Sequence, residues 1–177
     1  MRSLKTDHQV LDEMLNQLTI QLAKPDLAWA FENLDLLWGS LAVHIRAENI
    51  CLFPAILNAP RERFGTNNSI PPYVEARATV EQLRIDHNSF MNELGQAMKE
   101  LRAMIIRPES YSVEVTVCDL RKRIGLFADA LHQHTEIEEK QVYLWPALLL
   151  DQDSLERLKV GVRSEIENLP ARFAWAS

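Results

Sequence analysis

The sequence predicts an all-α protein: an antiparallel up-down four-helix bundle with a short extra helix near its C-terminal end. Two observations support this fold class. Four long segments carry apolar residues at spacings of three and four, which is the period of a helix with one buried face. The turns expected after the first and third segments are short, so each of these helices is expected to pack antiparallel to its successor.

The first helical segment runs from about residue 4 to residue 24. There Pro25 and Asp26 are typical of a helix end followed by the N-cap of the next helix. The second segment continues to about residue 58, and we expect Pro54 to kink it or end it early. The loop APRERFGTNNSIPP follows, and its Gly, Asn and Pro residues favour turns over regular structure.

The third segment opens near Pro72 and ends before Pro108, and the fourth begins after residue 112. The opening VEVTV of the fourth segment has the β-branched composition of a strand. The uninterrupted three-four spacing that follows it predicts a helix instead. A short fifth helix is expected to start at Ser154 and to end before Pro170.

We divide the chain into a four-helix domain, residues 1–150, and a C-terminal helix and tail, residues 151–177, packed on or near the bundle. The tail contains Phe173 and Trp175. These aromatic residues have two interpretations, a cover for the bundle or a contact in a homodimer.

Composition and charge narrow the range of functions. The net charge of −6 and the lack of a basic face argue against nucleic-acid binding. Cys51 and Cys118 lie far apart and form no CxxC motif, so we expect no disulfide framework or zinc knuckle. The start MRSLKTDHQV lacks the apolar core of a signal peptide. We also expect no membrane-spanning stretch, and therefore a cytoplasmic location.

Histidine and glutamate residues interrupt the apolar stripes at positions that leucines would otherwise fill. In the second segment Leu34, Leu37 and Leu41 lead, at the same spacing, to His44 and Glu48. A buried carboxylate without a partner costs several kcal/mol or more, so something must compensate it. The six polar residues in phase with the four stripes are His8, His44, Glu48, His87, His134 and Glu138.

The polar pattern is duplicated. Leu-basic-x-Asp-His occurs at 4–8 and at 83–87, and each copy is followed by a helix with His-x-x-x-Glu. Counting from the turns, at about 1.5 Å per residue, places the four histidines at one level of the bundle. Imidazoles and carboxylates that point into a bundle core are ligands for transition metals, and two carboxylates can bridge two ions. The pattern therefore predicts a metal centre; the alternative is a polar core network without metal.

Other polar and aromatic residues near this pattern have plainer roles. His132 points about 100° off the stripe, so we expect it at the surface or behind the ligands. Asp7 and Asp86 each precede a candidate ligand; N-terminal capping is the expected role for both, and support of the ligands is the alternative. Three aromatic residues are expected in the core: Phe53, Tyr143 and Trp145.

The order His, His-x-x-x-Glu, His, His-x-x-x-Glu resembles the hemerythrin-like HHE cation-binding family. HIRAENICLFP matches the family signature His-x-x-x-Glu-x-x-x-Leu-Phe-Pro at every key position. The second copy, HTEIEEKQVYL, keeps His134 and Glu138. It has Leu144 where the family usually has proline, and Pro146 follows two residues later, so the local helix end is expected to differ. The resemblance covers about residues 4–150.

The resemblance implies a non-haem di-iron centre bridged by the two glutamates and an oxo or hydroxo group. The ligands it implies are His8, His44, Glu48, His87, His134 and Glu138. Oxygen-carrying members have a further histidine one turn after the third-helix ligand, where this chain has Met91. The chain is therefore more similar to the four-histidine branch, which includes proteins that repair iron centres after nitric oxide or oxidative damage.

Three functions follow from these features. The favoured one is a metal-binding protein that binds, senses or handles O₂, NO or peroxide, or supplies iron in stress repair. The second is an enzyme, a di-iron peroxidase or NO-reducing centre, although no flavin or nicotinamide fingerprint supplies electrons. The third is a metal-free interaction bundle. Mn or Zn also suits this donor set. A ferritin-like site needs Glu-x-x-His on two helices, and no histidine here has that glutamate.

Overall fold

The computed structural model describes residues 3–23, 26–110 and 112–170, and within these ranges the chain is all-helical, as the sequence predicts. The helices are α1 (Leu4–Gln21), α2 (Leu27–Ala47), a π-helical turn (Glu48–Leu52), α3 (Phe53–Leu57), α4 (Tyr73–Ile106), α5 (Val113–Lys140), α6 (Trp145–Leu149) and α7 (Gln152–Glu167). The predicted turn at Pro25 and the tail with Phe173 and Trp175 lie outside the described residues.

The four long helices form a helical bundle in which each touches two others. Helix α1 contacts α2 and α5, and α4 contacts the same two helices. The apolar stripes face inward because burying them removes the leucine side chains from water. Leu18, Leu34, Leu94 and Leu101 have no exposed surface at all. The up-down antiparallel order of these helices stays a prediction.

Capping carboxylates set two of the helix starts. Asp26 accepts a hydrogen bond from the Trp29 N–H at 3.0 Å, which begins α2 as predicted. Asp151 accepts from the Ser154 N–H at 2.7 Å, so α7 begins at Gln152. The predicted start at Ser154 was therefore too late. That residue supplies the capped N–H group and is not the cap.

The two copies of the repeated pattern end differently. In the first copy the helix widens into the π-turn, where the Phe53 N–H bonds the Glu48 carbonyl, and α3 then carries Pro54 in its first turn. The predicted break near Pro54 takes this form. In the second copy α5 ends at Lys140, and a 3₁₀ turn, Val142–Leu144, precedes α6. This difference agrees with the displaced proline of the second copy.

One stretch, Leu27–Leu57, is long and apolar enough to cross a membrane by length and composition, with 31 residues. The expectation that no stretch meets this test was wrong. However, 56% of its most apolar window is buried inside the protein. Burial of that kind is typical of a bundle's core helix, which passes the same test.

Helix α7 is attached to the bundle mainly through α2. Arg46 donates from Nε to Glu165 Oε2 at 2.6 Å and from its Nη2 to the carbonyl oxygens of Glu165 and Asn168, both at 3.1 Å. Ile166 is fully buried beside this contact. Because Arg46 closes three hydrogen bonds at the C-terminal end of α7, it fixes where the helix lies.

Replacement of Arg46 by methionine is expected to loosen α7 while keeping the apolar stem of the side chain. Hydrogen bonds to charged groups contribute about 1.5–3 kcal/mol when buried, and partial exposure reduces this to roughly 1–2 kcal/mol of unfolding free energy here. Urea denaturation and amide exchange of residues 152–167 measure the effect. Arg77→Met, at the exposed Arg77–Glu81 pair, is the control and is expected to change neither. Equal behaviour of the two variants would contradict this role for Arg46.

Candidate metal centre

All six polar residues predicted from the stripes lie together inside the bundle. Each of the four long helices supplies one histidine; Glu48 begins the π-turn, and Glu138 lies on α5 one turn after the histidine there. Their exposed fractions are 4% or less. The buried set is His8, His44, Glu48, His87, His134 and Glu138.

The six residues form a polar layer between two apolar clusters. On α1, Leu4 belongs to one cluster and Leu11 to the other, with His8 between them. On α4 the same order holds for Leu83, His87 and Phe90. Helix α2 repeats the order with Leu41, His44 and Ala47, whereas beyond His134 of α5 the second cluster begins only at Val142, in the turn that follows the helix. The layer therefore lies at one level because each histidine occupies the equivalent step of its own apolar stripe.

The imidazoles form two pairs. His8 Nε2 lies 3.0 Å from His44 Nε2, and His87 Nε2 lies 3.0 Å from His134 Nε2. Glu138 reaches both pairs, because its Oε2 lies 3.3 Å from His8 Nε2 and its Oε1 lies 3.0 Å from His134 Nε2. The result is two overlapping groups of donor atoms that share this carboxylate.

The second carboxylate also lies between the pairs. Glu48 Oε2 is 3.2 Å from His87 Nε2 and 3.5 Å from His44 Nε2. In each of the two groups all donor atoms lie within 4.8 Å of one another. The groups are His8, His44, Glu48 and Glu138, and His87, His134 and Glu138.

The donor atoms fit a metal ion better than they fit one another. Glu48 Oε2 and Glu138 Oε1 are fully buried, and imidazole nitrogens lie 3.0–3.5 Å from them, but neither oxygen makes an aligned hydrogen bond within the described part of the chain. Charged oxygens in that condition are costly. Donors bound at about 2.1 Å to one ion are about 3.0–3.4 Å apart, the spacing seen here. Imidazole and carboxylate suit transition metals, so the cluster is compatible with metal binding.

The electrostatics of the layer favour positive charge. Burial lowers the pKa of His87, but Glu138 and Glu48 outweigh it and raise that pKa to about 9. The pKa of His8 is also raised, because Glu138, together with Glu139 and Glu48, outweighs the effect of burial. Burial raises the pKa of Glu138, and contacts with His134, His8 and His87 nevertheless bring it well below its ordinary value. The carboxylates that attract protons to these imidazoles attract a cation in the same way.

Two aspartates orient imidazoles through Nδ1, the ring nitrogen that faces away from the other candidate ligands. Asp7 Oδ2 lies 3.1 Å from His44 Nδ1, and Asp86 Oδ2 lies 3.2 Å from His134 Nδ1. An acceptor at Nδ1 leaves the Nε2 lone pair for a metal. The expected capping role was wrong for both aspartates: Ser3 caps α1, and Asp86 lies in the interior of α4.

The remaining two imidazoles have unlike partners. His8 Nδ1 lies 3.0 Å from Glu139 Oε1, and Lys5 pairs with the other oxygen of that carboxylate at 3.0 Å. The amide nitrogen of Asn49 lies 3.4 Å from His87 Nδ1. The imidazole of His8 is thus supported by a charged group and that of His87 by a neutral one.

Tyr143 is the residue of this centre that the sequence analysis missed. Its hydroxyl donates to Glu48 Oε1 at 2.6 Å and lies 3.1 Å from His8 Nε2 and 3.4 Å from Glu138 Oε2. Its ring packs against one of the apolar clusters, as the core prediction requires, but that prediction missed the role of the hydroxyl group; Phe53 and Trp145 are buried core residues as expected. The repeat contains the signal: Tyr143 follows its histidine by nine residues, as Phe53 does.

The fifth histidine stands apart from the layer. His132 is exposed on α5, as its position off the stripe predicts. Its backbone carbonyl accepts a hydrogen bond from the Thr135 hydroxyl at 3.0 Å. It therefore offers a matched control for the buried His134 two residues later.

Replacement of Asp7 by asparagine is expected to lower metal affinity by about 10- to 100-fold, the usual cost of losing a carboxylate behind a ligating imidazole. The amide keeps the size of the side chain but removes its charge. Competition between the protein and a coloured chelator for Zn²⁺ measures the affinity. Asp12→Asn, at an exposed position on the same helix, is the control. Affinities within twofold for wild type and Asp7→Asn would contradict the role assigned to Asp7.

Comparison with known proteins agrees with this geometry. The family model for the hemerythrin HHE cation-binding domain matches residues 1–145, which include the whole polar layer and Tyr143. Neither a search of curated proteins nor a search of solved structures found a match. Since the family match spans most of the 177 residues, the chain belongs to the hemerythrin HHE cation-binding family.

Proposed function

We propose that this protein is a non-haem di-iron protein that binds and handles a small ligand, O₂, NO or peroxide, or supplies iron in stress repair. The proposal rests mainly on one observation. Two buried carboxylates lie between two pairs of imidazoles, and each carboxylate has an oxygen that makes no hydrogen bond within the described residues.

Two ions suit the donor atoms better than one. The His8–His44 pair and the His87–His134 pair each present two facing nitrogens, and Glu138 offers one oxygen to each pair. A single ion would leave one imidazole pair without a cation beside the buried carboxylates. Iron suits this mixed set of imidazole and carboxylate ligands, and Mn and Zn are the alternatives.

Apolar side chains restrict the space beside the imidazoles. Beside the imidazoles the walls are formed by apolar side chains such as Leu41, Phe90 and Leu131, and they leave no room for a water-sized molecule unless side chains move. Iron held by these residues would supply ligand binding and redox chemistry. The side chains around it hold the ions, orient the imidazoles and exclude bulk water.

The finer assignments belong to the same proposal. Met91 is half-buried where oxygen-carrying members have a further histidine, which supports the four-histidine branch. An up-down antiparallel order of the four helices follows from the short turns in the sequence. A cytoplasmic location, the domain division at residue 150 and a homodimer contact through the C-terminal tail remain predictions.

Metal analysis after purification without oxygen is expected to find about two irons per chain, with an absorption change when O₂ or NO is added. His134→Ala removes an imidazole from one pair and is expected to lose iron. His132→Ala, at an exposed histidine on the same helix, is expected to keep it. No stoichiometric metal after anaerobic reconstitution would overturn the proposal, and sustained consumption of peroxide or NO would make the protein an enzyme.

Metal binding is also expected to stabilise the fold, because the ligands come together only when the four helices are packed. Free Zn²⁺ at 100 times its dissociation constant adds about 2.7 kcal/mol to the unfolding free energy. Thermal denaturation with and without the metal measures this gain, and His132→Ala is expected to show the same gain as wild type. A midpoint that does not respond to metal would instead support the metal-free bundle.

A further inference from the structure

The duplicated pattern allows the two halves of the centre to be compared position by position. Phe53 lies nine residues after His44, and Tyr143 lies nine residues after His134. Phe53 follows α2 and stacks on the histidine of α4, whereas Tyr143 follows α5 and stacks on the histidine of α1. The ring centroids of Phe53 and His87 lie 5.7 Å apart with an interplanar angle of 11°, and those of Tyr143 and His8 lie 5.5 Å apart with an angle of 23°.

The hydroxyl group is therefore the chemical difference between these two equivalent rings. Its oxygen lies 2.6 Å from Glu48 Oε1, 3.1 Å from His8 Nε2 and 3.4 Å from Glu138 Oε2. All three neighbours belong to the same group of candidate ligands, the one completed by His44. Two of the three separations, those to His8 and Glu138, match the distance between adjacent ligands of one ion, about 3.0–3.4 Å, and the contact to Glu48 is shorter.

We propose that the Tyr143 hydroxyl oxygen is a ligand of the metal ion held by His8 and His44, so that the two metal positions differ. This inference rests on the proposed two-iron function. When the oxygen binds the ion, the O–H bond breaks, the proton leaves by way of its acceptor Glu48 Oε1 to the solvent outside the layer, and the metal–oxygen bond forms. The oxidation state of the metal does not change. The position between His87 and His134 has the Phe53 ring in the equivalent place and gains no such ligand.

A second difference between the halves acts in the same direction. Glu139 and Asn49 occupy equivalent positions, five residues after His134 and His44. The carboxylate of Glu139 lies 3.0 Å from His8 Nδ1, whereas the neutral amide of Asn49 lies 3.4 Å from His87 Nδ1. A carboxylate behind an imidazole makes it a stronger donor. The His8 side is therefore the more electron-rich, which favours the ferric ion there and leaves the other ion for an external ligand.

The rival role for Tyr143 is a hydrogen bond that only positions Glu48. Ferric iron bound by a phenolate has a visible charge-transfer band, and Raman scattering excited within that band shows phenolate ring vibrations. A phenol that only donates a hydrogen bond gives neither signal. The two roles are therefore separated by spectroscopy of the iron-loaded protein, without an activity assay.

The experiment uses the full chain, loaded anaerobically with Fe²⁺, oxidised with ferricyanide and freed of excess reagent. Wild type is expected to show the phenolate band and ring vibrations. Tyr143→Phe is expected to lose both, while metal analysis still finds bound iron. Tyr73→Phe is the matched control, because Tyr73 packs on Phe64 and Arg61, away from the polar layer, and it is expected to keep both signals.

Two results would overturn the inference while the two-iron proposal stands: wild type that holds two irons without phenolate vibrations, or Tyr143→Phe that retains them. The first would assign Tyr143 to positioning Glu48, and the second would assign the signal to another tyrosine. A wild-type chain that takes up no iron would overturn the proposed function, and this inference with it. Iron content, measured on the same samples, tells these failures apart.

Discussion

The structure depends on the burial of two carboxylates in an apolar core. Glu48 and Glu138 have no exposed surface, and a charge in that position must be compensated by close groups of opposite sign or by a cation. The four imidazoles around them come from four different helices. The relative placement of those helices is therefore constrained at this level, because a shift of one turn would move an imidazole away from the carboxylates.

The apolar clusters on either side hold the layer in place. Ring contacts reach into it from both clusters: Phe53 stacks on His87, and Phe90 meets His134 edge to face at 5.1 Å. Such packing restricts the tilt of an imidazole ring, and an acceptor at Nδ1 restricts the rotation of the ring about its bond to Cβ. His134 is thus oriented by packing against Phe90 and by the Asp86 carboxylate together, which is how a protein prepares a metal site before the metal arrives.

The two halves of the polar layer are nearly alike, so the positions at which they differ are informative. Both copies stack an aromatic ring on a histidine, although one chain segment arrives there through a π-turn and the other through a 3₁₀ turn. The two rings therefore occupy equivalent positions on their histidines, although the backbone that leads to each ring has a different conformation. The polar substitutions, Tyr143 and Glu139, both fall on the His8 side.

The sequence by itself determined the all-helical fold, the long helices and the six residues of the polar layer. It could do so because helical periodicity is local: a residue in phase with a leucine stripe faces the core whatever packs against it. Tertiary structure alone decided that Asp86 on α4 reaches His134 on α5, and that the Tyr143 hydroxyl enters the layer. Those contacts depend on how two helices pack and how the chain turns after a helix ends, and no periodic pattern within one segment encodes either.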